Sequence, residues 1–234
     1  MFSSLAIDIG NTRIHWAAFE RRELVKSKSF DLGFFEFPEA EDYIYSSVSE
    51  IPENLQAFLS KRGALKFDHQ TPVPVKITYS SPESLGMDRL AAAVAAQSRF
   101  PKSNVLSIDM GTCITYDLID SEGNYHGGAI SPGVNMRIKA MNQFTAKLPK
   151  VNAEFPPQIL GANTQQSLQS GVMNGIRNEM DGMIADFQLQ FEDLQVILTG
   201  GDLHLFEEVL KNHIFADPNL VLRGLNEILL YNRA

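Results

Sequence analysis

The chain has 234 residues, a hydrophobic share of 44% and a formal net charge of −8. This composition supports a packed core, and the length allows one large or two small domains. The negative charge argues against nucleic acid or an anionic membrane as the main partner, because both attract basic surfaces. The single cysteine, Cys113, excludes an internal disulfide, which fits a reducing cytoplasm. We expect no signal peptide in residues 1–20 and no membrane helix, since no run reaches about 18 apolar residues.

The first informative stretch is Leu5 to Phe19, LAIDIGNTRIHWAAF. Two β-rich runs flank a break that contains glycine, a pattern typical of a β-hairpin. Gly10 would let backbone N–H groups approach an anion, and Asp8 at the strand end could hold a Mg²⁺ that bridges phosphate oxygens. By itself, however, the stretch is more typical of an ordinary Asx turn.

The next elements follow from periodicity and from Gly and Pro breaks. They are a turn leading into a strand at 21–28, a loop or weak helix at 31–42, a strand at 43–48, a helix at 52–63 and a strand at 72–79. Ser46 and Ser47 end one of these strands, and we interpret them as solvated loop serines rather than as part of a site.

An Ala-rich helix is predicted at residues 85–99, with Ser84 as its N-cap. Its small side chains allow close packing, so we expect it to be central. Asp88 and Arg89 lie near its start, where the helix dipole should lower the pKa of Asp88. Composition alone favours a dipole-stabilised acid and a solvated base.

Residues 106–117, LSIDMGTCITYD, repeat the first stretch at an offset of 101 positions. Identical pairs are Leu5/Leu106, Ile7/Ile108, Asp8/Asp109 and Gly10/Gly111. An internal repeat predicts two similar half-molecules. We expect each half to offer an acidic glycine turn to one cleft that holds a Mg-nucleotide.

Two further glycine-rich segments are candidates for ligand contacts. A glycine-rich loop at 126–133 precedes a predicted helix at 134–148, which suits a phosphate. The T-G-G-D turn at 199–202 follows a predicted strand at 194–198 and precedes a predicted helix at 204–211, which suits a nucleoside. A helix is also predicted at 171–190, and residues 221–230 are either strand or helix. No paired metal-ligand spacing, P-loop or protein-kinase motif occurs.

Taken in order, the motifs resemble those of type III pantothenate kinases, in the acetate/sugar kinase, Hsp70 and actin superfamily. They are Asp8-Ile9-Gly10-Asn11-Thr12, Gly86-Met87-Asp88-Arg89, Asp109-Met110-Gly111-Thr112 with Thr115 and Asp117, and the segment Gly127 to Gly133. The resemblance covers essentially the whole chain. One departure is Cys113, which stands where the family usually has alanine.

The resemblance implies an α/β fold of two RNase H-like, actin-like ATPase domains, each with a mixed sheet and flanking helices. The domains would be residues 1–104, including the interdomain helix, and 105–234, with the active site in the cleft between them. The implied reaction is transfer of the ATP γ-phosphoryl group to the primary hydroxyl of pantothenate, giving 4′-phosphopantothenate, the first step of coenzyme A biosynthesis.

The resemblance also implies roles for individual residues. Asp88 would be the general base, and Asp109 would hold a monovalent cation. Residues implied at ATP are Asp8, Ile9, Gly10, Asn11, Thr12, Arg13, Ile14, His15 and Thr112. Residues implied at pantothenate are Tyr79, Gly86, Met87, Asp88, Arg89 and Thr164, with Arg89 as a partner for the carboxylate or the migrating phosphate.

The implied cofactors are ATP with Mg²⁺, and K⁺ or NH₄⁺. The implied protein is a cytoplasmic homodimer without a nucleic-acid or membrane partner. Two alternatives stay open: a kinase for another small alcohol such as a sugar, and a non-catalytic nucleotide-binding regulator. An assay of ADP release with and without pantothenate decides most among these hypotheses.

Overall fold

The computed structural model describes residues 1–10, 13–31 and 35–233. The chain divides into two compact units. The first unit comprises Met1–Ser103, Asp117–Gly127 and Asn219–Ala234, and the second unit comprises Asn104–Tyr116 and Gly128–Pro218. The division into consecutive domains 1–104 and 105–234 stays a prediction. The compact units are not consecutive in sequence, because the first unit also includes residues 117–127 and 219–234.

The first unit contains a five-stranded mixed sheet with the order β3-β2-β1-β4-β5. Its strands are β1 (Phe2–Ile9), β2 (Arg13–Glu20), β3 (Glu23–Asp31), β4 (Ala40–Ser47) and β5 (Leu65–Lys66). Strands β1, β2 and β3 pair antiparallel, while β4 is parallel to both β1 and β5. The predicted first hairpin is confirmed, with Ile9 opposite Ile14.

Three helices belong to the first unit: α1 (Glu53–Lys61), α2 (Met87–Arg99) and α5 (Leu220–Arg233). Helix α2 begins after Gly86, so the prediction of Ser84 as its N-cap is wrong. Ser84 instead ends a short 3₁₀ turn, and its hydroxyl donates to the carbonyl of Ser81 at 2.9 Å. Residues 221–230 are helical because their leucines and isoleucine recur at helical spacing and pack against α2.

Helices α2 and α5 approach so closely that a side chain at Gly224 would not fit. A Cβ built at Gly224 would lie 1.8 Å from the carbonyl oxygen of Ala91. The obstacle is helical backbone, which cannot rotate away as a flexible side chain can. The small residues of α2 therefore have the role predicted for them, which is close packing.

We predict that Gly224→Ala lowers the free energy of unfolding by about 1–3 kcal/mol, the usual cost of overpacking a core. Gly175→Ala is the matched control, because a Cβ added at this helical glycine would enter open space. That change should be neutral or stabilising, since alanine is the better helix former. Urea denaturation of both variants measures the difference, and equal stabilities would contradict the close packing.

A second mixed sheet has the order β11-β10-β7-β8-β9-β6. Its strands are β6 (Lys76–Ile77), β7 (Val105–Met110), β8 (Cys113–Ile119), β9 (Asn124–Pro132), β10 (Gln195–Thr199) and β11 (Phe215–Ala216). Strand β7 is parallel to β10, whereas the two residues that join β7 to β8 allow only an antiparallel pair. This second predicted hairpin is confirmed. The unit boundaries at 116/117 and 127/128 fall inside β8 and β9.

The second unit also contains α3 (Val134–Gln143) and α4 (Thr164–Gln188), and its core lies between these helices and the sheet. Helix α4 begins earlier than predicted because Asn163 caps it, accepting from the backbone N–H of Gln166 at 2.9 Å. Among the described residues, no helix combines the length and apolar character needed to cross a membrane.

Three other predictions of secondary structure are wrong. The segment 126–133 is not a loop, because most of it continues strand β9. The predicted strand 72–79 shortens to β6, since Pro72 and Pro74 lack the N–H groups that a ladder needs. The predicted helix 204–211 is replaced by a 3₁₀ turn over Leu203–Leu205.

Candidate active site

Asp8 lies near the end of β1, beside Ser46 of the parallel strand β4. Its Oδ1 accepts a hydrogen bond from the Ser46 hydroxyl at 2.7 Å. Desolvation raises the pKa of Asp8 to about 6; the Ser46 hydrogen bond opposes the shift, and the negative charge of Asp88 adds to it. The interpretation of Ser46 as a solvated loop serine is therefore wrong, because β4 continues through Ser47 and buries Ser46 against Asp8.

The hairpin after Asp8 is closed by a hydrogen bond from the Gly10 N–H to the Arg13 carbonyl at 2.9 Å. The predicted contacts of Asn11 and Thr12 lie outside the described residues. The side chains of Ile9 and Ile14 are fully buried in the apolar core. Any contact of these two residues with ATP would therefore come from their backbone.

His15 lies opposite Asp8 on the antiparallel strand β2, so Asp8 has a neighbour on each side. Desolvation, helped by the positive charge of Arg13, lowers the pKa of His15. The imidazole is therefore neutral at physiological pH and brings no compensating charge to Asp8.

Asp88 lies in the first turn of α2, and its Oδ1 accepts from the backbone N–H of Arg89 at 2.9 Å. Desolvation raises the pKa of Asp88, the Arg89 N–H opposes this shift, and the negative charge of Asp117 adds to it. The expectation that the helix N-terminus lowers this pKa is wrong, because burial outweighs the helix dipole. Asp8 and Asp88 thus form a pair of carboxylates that both resist ionisation.

Arg89 is not the solvated base that composition suggested. Its side chain is 8% exposed and pairs with Asp117, which is 1% exposed. Arg89 Nη2 lies 2.7 Å from Asp117 Oδ1, and Arg89 Nε lies 2.9 Å from the same oxygen. Tyr125 also donates to that oxygen at 2.7 Å, and the hydroxyl of Tyr79 hydrogen-bonds Arg89. These four side chains all belong to the first unit.

Asp109 belongs to the second unit, where β7 lies beside β10. The T-G-G-D turn closes over it: Gly200 has φ +93°, and a Cβ there would lie 2.4 Å from Asp109 Oδ1. The Asp202 N–H donates to the Met110 carbonyl at 3.0 Å. The turn predicted as a nucleoside candidate therefore packs directly against the predicted cation ligand.

The β7–β8 turn carries Thr112, whose side chain is exposed. The Gly111 N–H donates to the Cys113 carbonyl at 3.0 Å, and the Gly133 N–H donates to the Thr112 carbonyl at 3.1 Å. The end of β9 thus supports this turn. Thr164 lies elsewhere in the second unit, exposed in the first turn of α4.

The structure therefore brings the predicted residues together in two groups, each within one unit. The first unit collects Asp8, Tyr79, Asp88 and Arg89, and the second collects Asp109 and Thr112. Sequence reasoning missed Ser46 and Tyr125 as partners of this machinery. Neither carries a local signal: residues 43–46 of β4 are all buried, so no alternation distinguishes Ser46, and its place beside Asp8 depends on the register of β4 with β1.

The residues present fit a Mg²⁺ ion at Asp8. Among the described residues, no three His, Cys, Asp or Glu side chains are grouped to hold a metal ion. In phosphoryl-transfer sites, however, Mg²⁺ binds through one or two carboxylates and completes its shell with water and substrate phosphates. Asp8 meets this requirement for a carboxylate donor, because it is desolvated, lies near the negative charge of Asp88, and has a pKa that no described cationic side chain lowers.

Comparison with known proteins identifies relatives of the chain. The profile of the type III pantothenate kinase family matches residues 34–186. A type III pantothenate kinase from Christiangramia forsetii is 42% identical over 240 residues, covering 98% of this chain and 99% of the relative.

Two solved structures have the same fold. One, from Campylobacter jejuni and assigned provisionally to the Baf family of transcriptional activators, has a TM-score of 0.66, 23% identity and 98% coverage of both chains. The other, a ROK family protein from Streptococcus pneumoniae, has a TM-score of 0.53, 12% identity and 99% coverage of both chains. The predicted α/β fold with two mixed sheets and flanking helices is confirmed.

Proposed function

The chain belongs to the type III pantothenate kinases, and we propose that it transfers the γ-phosphoryl group of ATP to the primary hydroxyl of pantothenate, with Asp88 as the general base. The products are 4′-phosphopantothenate and ADP. The observation that carries the proposal is the desolvated carboxylate of Asp88, in a G-M-D-R motif at the start of α2.

The proposed chemistry needs positioning more than covalent participation of the protein. Asp88 accepts the hydrogen bond of the pantothenate hydroxyl and takes its proton as the oxygen bonds to the γ-phosphorus. The bond from that phosphorus to the β,γ-bridging oxygen breaks, and ADP leaves. The raised pKa of Asp88 makes it a better proton acceptor than an ordinary aspartate once it is ionised.

The remaining residues would bind the substrates. Tyr79, Gly86, Met87, Arg89 and Thr164 are proposed at pantothenate, and residues 8–15 with Thr112 at ATP. Arg89 suits an anionic oxygen group, because its guanidinium is held in place by Asp117 and Tyr79.

Two cations complete the proposal. Asp8 would hold Mg²⁺, which supplies charge neutralisation on the phosphates when bound. Asp109, under the Gly200 turn, would hold K⁺ or NH₄⁺. Imported cations suit this protein, because its formal net charge is −8 and its motifs contain no lysine.

We also propose a cytoplasmic homodimer. The second unit exposes several large apolar side chains: Ile130 is 62% exposed, Phe144 81% and Leu160 81%. The family resemblance supports a second copy of the chain as their cover. Sedimentation at micromolar concentration tests the dimer.

The decisive experiment measures ADP release with Mg²⁺ and K⁺ present, with and without pantothenate. The proposal requires release that depends on pantothenate and a product with the mass of a phosphomonoester. A panel of sugars and small alcohols serves as the control. Turnover with a panel member but not with pantothenate would show that the substrate is that sugar or alcohol. Tight ATP binding without any turnover would favour a nucleotide-binding regulator.

We predict that activity rises with K⁺ or NH₄⁺ and is weak in Na⁺ alone, because phosphates in an acidic protein need a fitted cation. Asp109→Asn should raise the K⁺ concentration for half-maximal rate or abolish activity. Asp193→Asn, at an exposed position before β10, is the control. Equal rates in Na⁺ and K⁺ would contradict a specific cation site at Asp109.

A further inference from the structure

Arg89 is held by a buried ion pair with Asp117. Arg89 Nη2 lies 2.7 Å from Asp117 Oδ1, and Nε donates to both carboxylate oxygens, at 2.9 Å to Oδ1 and 3.2 Å to Oδ2. A bidentate contact of this kind fixes the plane of the guanidinium as well as its position. Such a pair is a weak source of stability, because desolvation cancels most of its attraction. Its geometry therefore points to a role in orientation.

Tyr125 adds a further donor to the same carboxylate. It is fully buried, and its hydroxyl donates to Asp117 Oδ1 at 2.7 Å, the oxygen that also meets both Arg89 nitrogens. The carboxylate consequently cannot rotate without losing a neutral and a charged hydrogen bond together. Asp117 and Tyr125 lie on the adjacent strands β8 and β9, whose ladder fixes their spacing.

Arg89 keeps N–H donors that are free to bind a ligand. A guanidinium has five N–H donors, of which Asp117 takes two and the Tyr79 hydroxyl takes one. The remaining donors lie in the plane that Asp117 fixes, so the directions in which they can meet a second anionic oxygen group are fixed with it. Tyr79 is itself steadied by the tyrosine ring of Tyr125, at a centroid distance of 6.3 Å.

We propose that Asp117 and Tyr125 are positioning residues for the phosphoryl transfer: they hold Arg89 in one orientation toward an anionic oxygen group of the substrates without touching the substrates themselves. This inference rests on the proposed function, in which Arg89 binds either the pantothenate carboxylate or the migrating phosphoryl group. Both groups present anionic oxygens to the same donors.

The test uses Tyr125→Phe, which removes one hydroxyl and keeps the ring. We expect kcat/KM for pantothenate to fall about 10-fold, the worth of one hydrogen bond to a charged group. Tyr43→Phe is the matched control: Tyr43 is a buried tyrosine of the same unit whose hydroxyl accepts from the Ala40 N–H at 2.9 Å. Both variants should lower the melting temperature slightly, and only Tyr125→Phe should change the kinetics.

A double-mutant cycle shows whether Tyr125 acts through Arg89. Arg89→Lys keeps the charge and loses the planar fork. On that background Tyr125→Phe should have little further effect on kcat/KM, since the orientation it protects is already lost. Full additivity of the two losses would overturn the inference. Asp117→Asn, which keeps an oxygen acceptor, should give a larger loss than Tyr125→Phe and the same non-additivity.

Pantothenyl alcohol, which lacks the carboxylate, separates the two anionic groups. If Arg89 is held for the carboxylate, Tyr125→Phe raises KM for pantothenate and leaves turnover of the alcohol unchanged. If Arg89 is held for the phosphoryl group, Tyr125→Phe lowers kcat equally with both substrates. Either of these two results supports the positioning role. Unchanged kinetics with both would overturn it. A wild-type protein without pantothenate-dependent activity would remove the proposed function first, and this inference with it.

Discussion

Asp88→Asn is expected to lower kcat by a factor on the order of 10²–10⁴, the usual worth of a general base. Asparagine has nearly the same size and can still accept the backbone N–H of Arg89 that Asp88 accepts now. It cannot take the proton of the attacking hydroxyl. Binding of ATP and pantothenate should survive, so the loss should appear in kcat while calorimetric affinities stay close to wild type.

Glu83→Gln is the control for this change, because Glu83 is an exposed acid in the 3₁₀ turn just before α2. It should leave kcat unchanged. Near-normal kcat in Asp88→Asn would show that Asp88 only stabilises the start of the helix. Lost binding together with a lower melting temperature would make its role structural.

The pH profile gives a second measure of the same residue. Burial raises the pKa of both Asp88 and Asp8, the latter to about 6. Activity should therefore fall on the acid side at a higher pH than the ordinary aspartate pKa of about 4 would give. Because the two carboxylates influence each other, the acid limb reports the pair and not one residue.

Asp8→Asn is expected to lower activity strongly and to stabilise the protein above about pH 6. Neutralising Asp8 removes the proposed Mg²⁺ donor, which should lower kcat/KM by at least about 10². It also removes a desolvated charge that lies close to Asp88. The amide oxygen can still accept from the Ser46 hydroxyl, so the local hydrogen bond survives.

The sign of the stability change follows from proton linkage. The pKa of Asp8 is about 6 in the folded protein and about 3.8 in the unfolded chain. The folded state therefore binds the proton more tightly, and this contribution is fully present below about pH 4 and is lost as the pH rises through about 6. The difference between these two pKa values corresponds to at most about 3 kcal/mol, and coupling to Asp88 reduces this free energy.

We therefore expect Asp8→Asn to raise the free energy of unfolding by about 1–3 kcal/mol at pH 8 and to change it little at pH 4, both without Mg²⁺. Asp31→Asn is the control, since Asp31 ends an edge strand of the same sheet and its side chain is 88% exposed. It should change stability little at either pH. A stability loss at pH 8 in Asp8→Asn would contradict the burial cost assigned to Asp8.

The two glycine hairpins and the central Ala-rich helix could be predicted from the sequence. Each depends on neighbours in the chain: alternating apolar residues, a glycine break of two or three positions, or a run of strong helix formers. The repeat of Asp8 and Gly10 at Asp109 and Gly111 predicted a fold of two parts, and it too could be recognised from short stretches of sequence. These features needed no knowledge of distant contacts.

The partners of the acidic residues depended on tertiary structure. Ser46 reaches Asp8 through a parallel register between strands 38 residues apart, and the Arg89–Asp117 bond joins residues 28 apart. A sequence pattern does not specify such pairings, because they depend on strand order and register. Arg89 consequently appeared to be a solvated base until the fold buried it against Asp117.

The pKa of Asp88 shows most clearly what the sequence determined and what the tertiary structure determined. The sequence by itself determined that an aspartate lies in the first turn of a helix, and the helix dipole alone would lower its pKa. Only the tertiary structure decided that the carboxylate is desolvated and near the charge of Asp117, and these effects raise the pKa instead. Burial is a property of the whole packed unit, and the cost of removing a charge from water exceeds the small stabilisation that a helix end provides.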